Sequence, residues 1–263
     1  MDTQQQKSYK VLVVGDSCED VYHFGTCQRI SPEAPVPILK KTHEEIRPGM
    51  SANVVANLES LGITCFHIRN TNLIRKHRFI DDTFKQHLLR LDEGEDAESY
   101  KLDVSVFKKY KDLDAIVISD YNKGFVTYDD CKEICETYKD IPIFVDTKKD
   151  DLSCFEEAII KINNKEEDRI SKYPAKYELV TTLGDQGARW KEFHFPAVPT
   201  EVFDVCGAGD TFFAAFICEY LKTKDFLASI IFANKCAALT VKRIGTYSLN
   251  EEEIQSIRDD IRS

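Results

Sequence analysis

Short, β-branched apolar runs followed by stretches of helical spacing constrain the fold of this chain more than any other feature. The clearest runs are Lys10–Gly15 (KVLVVG), Ala115–Ser119 (AIVIS) and Ile143–Asp146. Runs that stay apolar at consecutive positions are typical of parallel strands buried on both faces. Thr127–Tyr138 has helical spacing between two of them, and such a β-α-β unit makes a right-handed crossover. The pattern predicts an α/β fold with a mostly parallel central sheet.

The remaining segments extend this pattern. Further strands are predicted at Thr64–Arg69, Leu73–Leu91, Ala158–Ile162 and Glu178–Thr182, and helices at Ser51–Leu61, Asp210–Leu221, Phe226–Val241 and Glu251–Ile261. Three prolines and short alternating pieces between residues 18 and 45 indicate edge strands outside the core. Because no linker or internal repeat divides the chain, we expect a single domain over residues 1–263.

Composition argues against several classes of function. The formal net charge is -10, so the chain repels polyphosphate backbones and nucleic acid is an unexpected partner. No apolar run approaches the roughly 20 residues that cross a bilayer, and the polar N-terminal segment lacks a signal-peptide core. We therefore expect a cytoplasmic protein with no membrane partner. The nine cysteines have irregular spacing and no C-x-x-C pair, which favours reduced thiols over a metal site.

Polar side chains follow four of the predicted strands at their carboxyl ends. Asp16, Asp120, Asp146 and Asn163 each stand where an apolar run stops. Ligands of open parallel sheets bind beyond the carboxyl ends of the strands. One such residue is ordinary loop chemistry, whereas four of them predict a polar cleft.

The most informative segment is D-V-C-G-A-G-D-T-F-F-A-A-F-I, which begins at Asp204. Gly207, Ala208 and Gly209 precede a predicted helix, so small residues and the helix N-terminus together form a candidate hole for an anion. Asp210 lies beside this hole, where a carboxylate can accept a proton from an attacking hydroxyl. The alternative is that Asp210 only caps its helix.

This segment resembles the C-terminal signature of the ribokinase-like (PfkB-type) carbohydrate kinases, D-[TV]-x-G-A-G-D. The resemblance implies Asp210 as the catalytic base and Gly207, Ala208 and Gly209 as the anion hole. Cys206 replaces the usual threonine. It also implies a three-layer ribokinase-like sandwich with a small β lid, whose strands lie at about residues 18–45 and 73–92. Lids of this family often pair between subunits, so we expect a homodimer through the lid.

Two further segments resemble the family's sugar and metal motifs. Arg47–Asn53 (RPGMSAN) is similar to G-G-x-x-N, which implies that Gly49 and Asn53 contact the sugar, although Met50 replaces the second glycine. Asn163 and Glu166 match N-x-x-E, which in the family orders Mg²⁺ near the ATP phosphates. Mg²⁺ keeps most of its bound waters, so a site with only one or two protein ligands is typical of it. The alternative for N-x-x-E is a solvated turn.

Other segments resemble the nucleotide site. The stretch from Thr182 to Gly187 is similar to the T-x-G-x-x-G loop, and Asn234 stands where the family closes around adenine. The ATP-contacting residues implied by the resemblance are Asn163, Lys148, Thr182, Gly184, Gly187 and Asn234. ATP and Mg²⁺ are therefore the expected cofactors, and a monovalent cation is left open.

Several segments point to one branch of the family, the D-glycero-β-D-manno-heptose 7-phosphate kinases. These segments are R-I-S-P-E-A-P-V from Arg29, Q-H-L-L-R-L-D from Gln86, D-Y-N-K-G from Asp120 and V-D-T-K from Val145. The expected substrate is a phosphosugar. Its candidate ligands, with Gly49 and Asn53, are Asp16, Arg90, Asp120 and Lys123. Arg29 and Arg78 are further candidate cations, with surface charge as the alternative.

The chain departs from the family by a deletion between Gly62 and Leu73, where a few tens of residues are missing. We expect the loss to thin one edge of the sheet and to spare the Asp210 turn. The deletion, Met50 and Cys206 leave two alternatives open. One is a kinase for another sugar, and the other is a catalytically silent homologue that binds nucleotide.

Overall fold

Two β-sheets organise the computed structural model, which describes residues 8–94 and 102–262. The strands are β1 (Lys10–Gly15), β2 (Ser17–Ile30), β3 (Pro37–Met50), β4 (Thr64–Arg69), β5 (Arg75–Asp81), β6 (Gln86–Glu93), β7 (Ala115–Asp120), β8 (Ile143–Thr147), β9 (Ile159–Asn163), β10 (Glu178–Thr182), β11 (Ala188–Trp190) and β12 (Phe193–Phe195). The helices are α1 (Ser51–Ser60), α2 (Tyr128–Thr137), α3 (Asn164–Glu167), α4 (Ala208–Thr223), α5 (Phe226–Thr240) and α6 (Glu251–Arg262).

The larger sheet has the strand order β12-β11-β10-β9-β8-β7-β1-β4, and only its β10-β11-β12 edge is antiparallel. Alternate residues of a strand point to opposite faces, so β1 divides its side chains between two cores. Val11 and Val13 pack in the cluster that contains α1, α4 and α5. Leu12 and Val14 pack in the cluster that contains α2. Helices therefore cover both faces of the sheet, which explains why its strands are apolar at consecutive positions.

The smaller sheet, hereafter the lid sheet, has the order β3-β2-β5-β6. Its strands overlap the two stretches predicted to hold the lid, although β3 runs on to Met50, beyond the predicted end near residue 45. Asp16 leads from β1 directly into β2, and β3 ends at Met50, where α1 begins. The lid sheet is therefore attached at the carboxyl end of β1, beside the predicted cleft.

The sequence predictions of an α/β fold, a mostly parallel central sheet and a separate small sheet are confirmed. β11 and β12 were not predicted, because three-residue antiparallel strands carry too few residues for a periodic signal. Residues 70–74 alone connect β4 to β5, and β4 forms the edge of the larger sheet, in agreement with the expected deletion. The domain count stays a prediction.

The cysteines and the helices of the described residues bear on the expected thiols and on the expected lack of a membrane span. All nine cysteines are free thiols, and six of them are buried. Within residues 8–94 and 102–262, no helix is both long enough and apolar enough to span a bilayer.

Candidate active site

Asp210 lies in the first turn of α4 and is buried. Both carboxylate oxygens accept a hydrogen bond at 2.8 Å, Oδ2 from Asn53 Nδ2 and Oδ1 from the Tyr121 hydroxyl. Asn53 comes from α1 and Tyr121 from the loop after β7. Two distant segments therefore converge on the carboxylate that α4 carries, at the edge where the sequence predicted a cleft.

A relay of hydrogen bonds orients the amide of Asn53. The Asn57 side-chain amide donates to Asn53 Oδ1 at 3.1 Å, and the Thr211 hydroxyl donates to Asn57 Oδ1 at 3.0 Å. With its oxygen occupied in this way, Asn53 presents its NH₂ group to Asp210. Asn53 and Asn57 are both buried on one face of α1, so this helix holds the carboxylate in place.

Burial raises the pKa of Asp210 to about 6. The hydrogen bonds from Asn53 and Tyr121 oppose this shift because they favour the ionised carboxylate, whereas the negative charge of Asp146 reinforces it. Burial and the Asp210 charge also raise the pKa of Tyr121, so the phenol keeps the proton that it donates. A carboxylate with a pKa just below neutrality suits a general base.

The turn before Asp210 brings small residues close to two other groups. Gly207 has a φ of 76°, and a methyl group on it would lie 2.9 Å from Asn53 Nδ2. A methyl group on Gly209 would lie 3.2 Å from Lys161 Nζ. The amides of Gly207, Ala208 and Gly209 stand at the helix start, where the first N–H groups have no intrahelical acceptor. Ala208 N–H makes one long bond, 3.3 Å, to Val205 O.

Lys161 was not predicted as a site residue from the sequence, and Asp146 was expected only as one of the polar residues that line the cleft. Lys161 Nζ forms a 2.8 Å ion pair with Asp146 Oδ2, and both side chains are buried. Burial lowers the pKa of Lys161, but the carboxylates of Asp146, Glu166 and Asp210 more than offset it and leave the pKa raised. A buried ammonium therefore lies directly against the G-A-G turn. The signal in the sequence was a lysine inside the apolar run of β9, I-I-K-I-N.

The end of β3, just before α1, packs tightly against β2 within the lid sheet. A methyl group on Gly49 would lie 2.5 Å from both Asp20 Oδ2 and Cys18 Sγ, so a larger residue there would displace these two side chains. Met50, which replaces the family's second glycine, has a φ of 56° and is buried. This backbone conformation favours glycine, so the substitution keeps the turn at the expense of local strain.

The predicted metal motif forms a capping box at the start of α3. Asn163 Oδ1 accepts from Glu166 N–H, and Glu166 Oε2 accepts from Asn163 N–H, each at 2.9 Å. The second oxygen of Glu166 accepts from Lys148 Nζ. Burial disfavours ionisation of Glu166, but these donors outweigh it and lower the pKa. Glu166 is thus an ionised carboxylate near β9.

One carboxylate with a lysine partner fits a hydrated Mg²⁺ that arrives with nucleotide phosphates, because Mg²⁺ keeps most of its waters. These residues do not form a site in which protein ligands alone surround the ion. Within the described ranges, no group of three or more His, Cys, Asp or Glu side chains is arranged to hold a metal.

The predicted nucleotide residues come together beside β10. Thr182 ends β10, and Gly184 and Gly187 have φ values of 64° and 96°. A methyl group on Gly187 would lie 2.1 Å from Phe195 O, the same carbonyl that accepts from Asn234 Nδ2 at 3.2 Å. The T-x-G-x-x-G loop and α5 therefore meet around the end of β12.

Two of the residues predicted to bind the sugar, Asp16 and Asp120, are buried and accept hydrogen bonds from within the chain. Asp16 is buried and accepts from the backbone N–H groups of Lys123 (3.1 Å) and Phe125 (3.2 Å), so it holds the loop that carries Tyr121. Asp120 is buried in an ion pair with Lys149 Nζ at 2.8 Å. Its oxygens also accept from Thr147 and from Asn122 N–H. The carboxylate of Asp120 thus has a full set of internal partners.

Three of the predicted cations, Arg29, Arg78 and Arg90, lie on the lid sheet. Arg78 pairs with Asp20 at 2.8 Å, and Arg90 pairs with Asp92 at 2.5 Å. Arg29 is exposed at the far end of β2. Cys206, in place of threonine, lies 3.7 Å from the Tyr22 hydroxyl, which accepts from Thr246 N–H at 3.0 Å. This contact joins the lid sheet to the segment before the G-A-G turn.

Solved structures with this architecture define the class of protein, a ribokinase-like α/β fold. Ribokinase from Thermotoga maritima superposes with a TM-score of 0.70 at 17% identity, covering 95% of this chain and 99% of that one. Phosphofructokinase-2 from Escherichia coli, solved in complex with potassium, gives 0.73 at 14% identity, covering 98% and 100%. At these identities the likeness establishes the fold alone.

The model of the pfkB family carbohydrate kinase matches residues 56–253. This chain therefore belongs to the pfkB family of carbohydrate kinases. The Bifunctional protein HldE of Campylobacter jejuni serotype O:2 is 31% identical over 306 residues, 96% of this chain and 65% of the relative. The protein of the same name from Haemophilus influenzae strain PittEE is 29% identical over 95% of this chain and 63% of the relative. The chain thus spans just under two thirds of these relatives.

The alignment with the Campylobacter relative also bears on the deletion. Because 96% of 263 residues is about 252, the 306 aligned positions include about 50 that this chain lacks. The aligned region of this relative is therefore longer than the matching part of this chain.

Proposed function

We propose that this chain transfers the γ-phosphoryl group of Mg·ATP to the anomeric hydroxyl of D-glycero-β-D-manno-heptose 7-phosphate. One observation carries the phosphoryl-transfer part. The carboxylate of Asp210 and the ammonium of Lys161 both lie beside the same glycine turn at the start of α4. The choice of sugar rests on the branch-like segments of the sequence and on the cations of the lid sheet.

In the proposed reaction, Asp210 accepts the proton of the acceptor hydroxyl. Asn53 and Tyr121 hold the carboxylate through its two oxygens and leave its remaining lone pairs for the sugar. The amides of the G-A-G turn and the Lys161 ammonium stabilise the negative charge on the transferring group. Fixed donors in a site that excludes water stabilise such charge without reorganisation.

Mg²⁺, when bound with ATP, neutralises charge on the β- and γ-phosphates. Glu166 is the residue of this chain that we propose to hold it, through water, with Asn163 fixing the carboxylate. Lys148 contributes a positive charge beside it. Thr182, Gly184, Gly187 and Asn234 are proposed to surround the nucleotide base and sugar.

A coupled assay for ADP release tests the choice of acceptor. Heptose 7-phosphate, fructose 6-phosphate and ribose are compared at equal concentration with Mg·ATP. We expect the heptose phosphate to give the highest kcat/KM. A higher value for another sugar would replace the substrate but keep the chemistry. ATP binding without turnover on any sugar would favour a silent homologue.

The pH dependence of kcat/KM tests Asp210 as the base. Because the pKa of Asp210 is raised to about 6, activity is expected to fall as the pH drops through this value and the carboxylate gains a proton. Tyr121→Phe removes a donor to the ionised form, so its acid limb should move to higher pH. A pH–rate profile of both proteins measures the shift. An acid limb near pH 4, or one unchanged in Tyr121→Phe, would contradict the assignment.

We propose that a second copy of the chain packs on the outer face of the lid sheet. Ile46, Leu89 and Leu91 are each more than half exposed on this face, beside His77 and Phe79. An apolar patch of this kind marks an interaction surface. Sedimentation of Leu89→Glu is expected to give monomers, and the exposed Leu227→Glu on α5 serves as the control. A wild-type monomer at micromolar concentration would exclude the lid dimer.

A further inference from the structure

The inner face of the lid sheet, which faces the cleft, carries two rows of charged residues across its four strands. In β-strand pairing, directly opposed residues share a face. The first row is Arg47, Asp20, Lys76 and Asp92, and the second is Glu45, Tyr22, Arg78 and Arg90. These rows hold four cations and three carboxylates.

Each carboxylate in the two rows has an arginine partner. Arg78 pairs with Asp20, Arg90 with Asp92, and Arg47 with Glu45. Lys76 is the cation left over. Among the described residues, its ammonium forms no hydrogen bond or ion pair. It lies over the ring of Tyr121, whose centroid is 5.5 Å from Nζ, and the charges of Asp20 and Asp92 act on it without direct pairing.

Lys76 is only 8% exposed. Lysine is almost never buried to this degree unless it is paired, because removing an ammonium from water without a counter-ion is costly. The other buried lysines of this region, Lys149 and Lys161, do have carboxylate partners. The exception therefore points to a partner other than the residues that the structure describes.

The position of Lys76 indicates which partner this is. Tyr121 lies between Lys76 and Asp210, since its ring contacts the ammonium and its hydroxyl donates to the carboxylate. The transferring phosphoryl group has its own cation in Lys161, which lies against Gly209 on α4. Lys76 instead projects from the lid sheet, on the side from which an acceptor would reach Asp210.

We propose that Lys76 binds the phosphate group that the acceptor sugar already carries, and so selects phosphosugars over neutral sugars. This inference rests on the proposed function in taking the acceptor to be a phosphosugar. The ligand is a phosphate dianion, for which the compact ammonium is a point-charge partner and the neighbouring Arg78 a second donor.

Lys76→Met tests the proposal, because methionine keeps the length of the stem and removes the charge. The KM for heptose 7-phosphate is expected to rise about 10- to 100-fold, the range for losing a hydrogen bond to a charged group. The KM for ATP should stay within about twofold. Lys76→Arg should recover part of the loss. Arg75→Met, on the opposite face of β5, is the matched control and should change neither constant.

A binding measurement separates this proposal from the kinase assignment. Inorganic phosphate is expected to raise the melting temperature of the wild-type chain and not that of Lys76→Met. In the absence of phosphate, Lys76→Met should melt at the same temperature or higher, because a buried unpaired charge has been removed. Phosphate stabilisation without any sugar turnover would overturn the proposed function and keep Lys76 as an anion site.

Three results would overturn the role of Lys76. An increase in the KM for ATP alone would assign Lys76 to the donor's phosphates. Unchanged constants for both substrates would show that no phosphate contacts it. A lower melting temperature of Lys76→Met without phosphate would mean that the ammonium is already paired within the folded chain.

Discussion

Asp210→Asn is expected to lower kcat on the order of 10³-fold while leaving the KM values for sugar and ATP within a few fold. The asparagine has the same shape, so the turn at the start of α4 is kept. Its carbonyl oxygen can accept from Asn53, and its NH₂ group can donate to the Tyr121 hydroxyl. The substitution therefore removes the base and little else. Steady-state kinetics at pH 7.5 with saturating Mg·ATP measures the loss.

The same substitution is expected to stabilise the chain. Burial raises the pKa of Asp210 from 3.8 to about 6, so the folded state holds this proton to a higher pH than the unfolded state. Between these values the stability contributed by Asp210 falls as the pH rises, and above about pH 6 the full destabilisation is present. Asparagine does not ionise, so Asp210→Asn should raise the melting temperature by a few degrees at neutral pH.

Loss of activity together with gain of stability is the signature that distinguishes a base from a structural residue. Asp129→Asn, on the exposed side of α2, is the control and should alter neither quantity. Full activity of Asp210→Asn would remove this carboxylate from the mechanism. A much lower melting temperature would make it a structural cap of α4.

Lys161→Met is the second substitution with a large expected effect. It removes the ammonium beside Gly209, and the loss of one preorganised donor to a developing charge lowers kcat about 10²- to 10³-fold. It also leaves the Asp146 carboxylate buried and unpaired, which costs about 3–5 kcal/mol. Thermal unfolding and kcat measured on the same sample give the two effects.

The double variant Lys161→Met/Asp146→Asn separates these effects. Because it leaves no unpaired charge at this position, its melting temperature should recover most of the loss, whereas kcat should stay low. Asp146→Asn alone retains the ammonium, so it should be destabilised but more active than Lys161→Met. Recovery of kcat in the double variant would mean that Lys161 serves only to neutralise Asp146.

Local signals in the sequence were sufficient for the architecture and for part of the site. The strand at Lys10–Gly15 and the helix from Ser51 are each predicted by the pattern of apolar residues within the segment itself. The G-A-G-D turn is similarly local, because small residues before a helix start need no distant partner to indicate an anion hole. These features depend on backbone sterics and apolar periodicity, which neighbouring residues determine.

Contacts between segments that are distant in the sequence could not be predicted from such local patterns. Asn53 and Asp210 are 157 positions apart, and Tyr121 and Asp210 are 89 apart. Tyr121 stood within a recognised segment, yet its role as a donor to Asp210 depends on how the loop after β7 folds onto α4. Asp120, by contrast, was predicted to contact the sugar, and this role stays a prediction. In the structure its carboxylate contacts Lys149, Thr147 and Asn122.

The sequence by itself determined the order of strands and helices, the glycine turn with Asp210 and the family resemblance, because these depend on short-range patterns. Only the tertiary structure decided which charges neutralise one another. A chain with 35 basic and 45 acidic residues offers far too many possible pairs for spacing to choose among them. Strand register and packing bring Lys161 to Asp146 and leave Lys76 without an ion pair in the described part of the chain, because ion pairing depends on distance and burial in the folded chain.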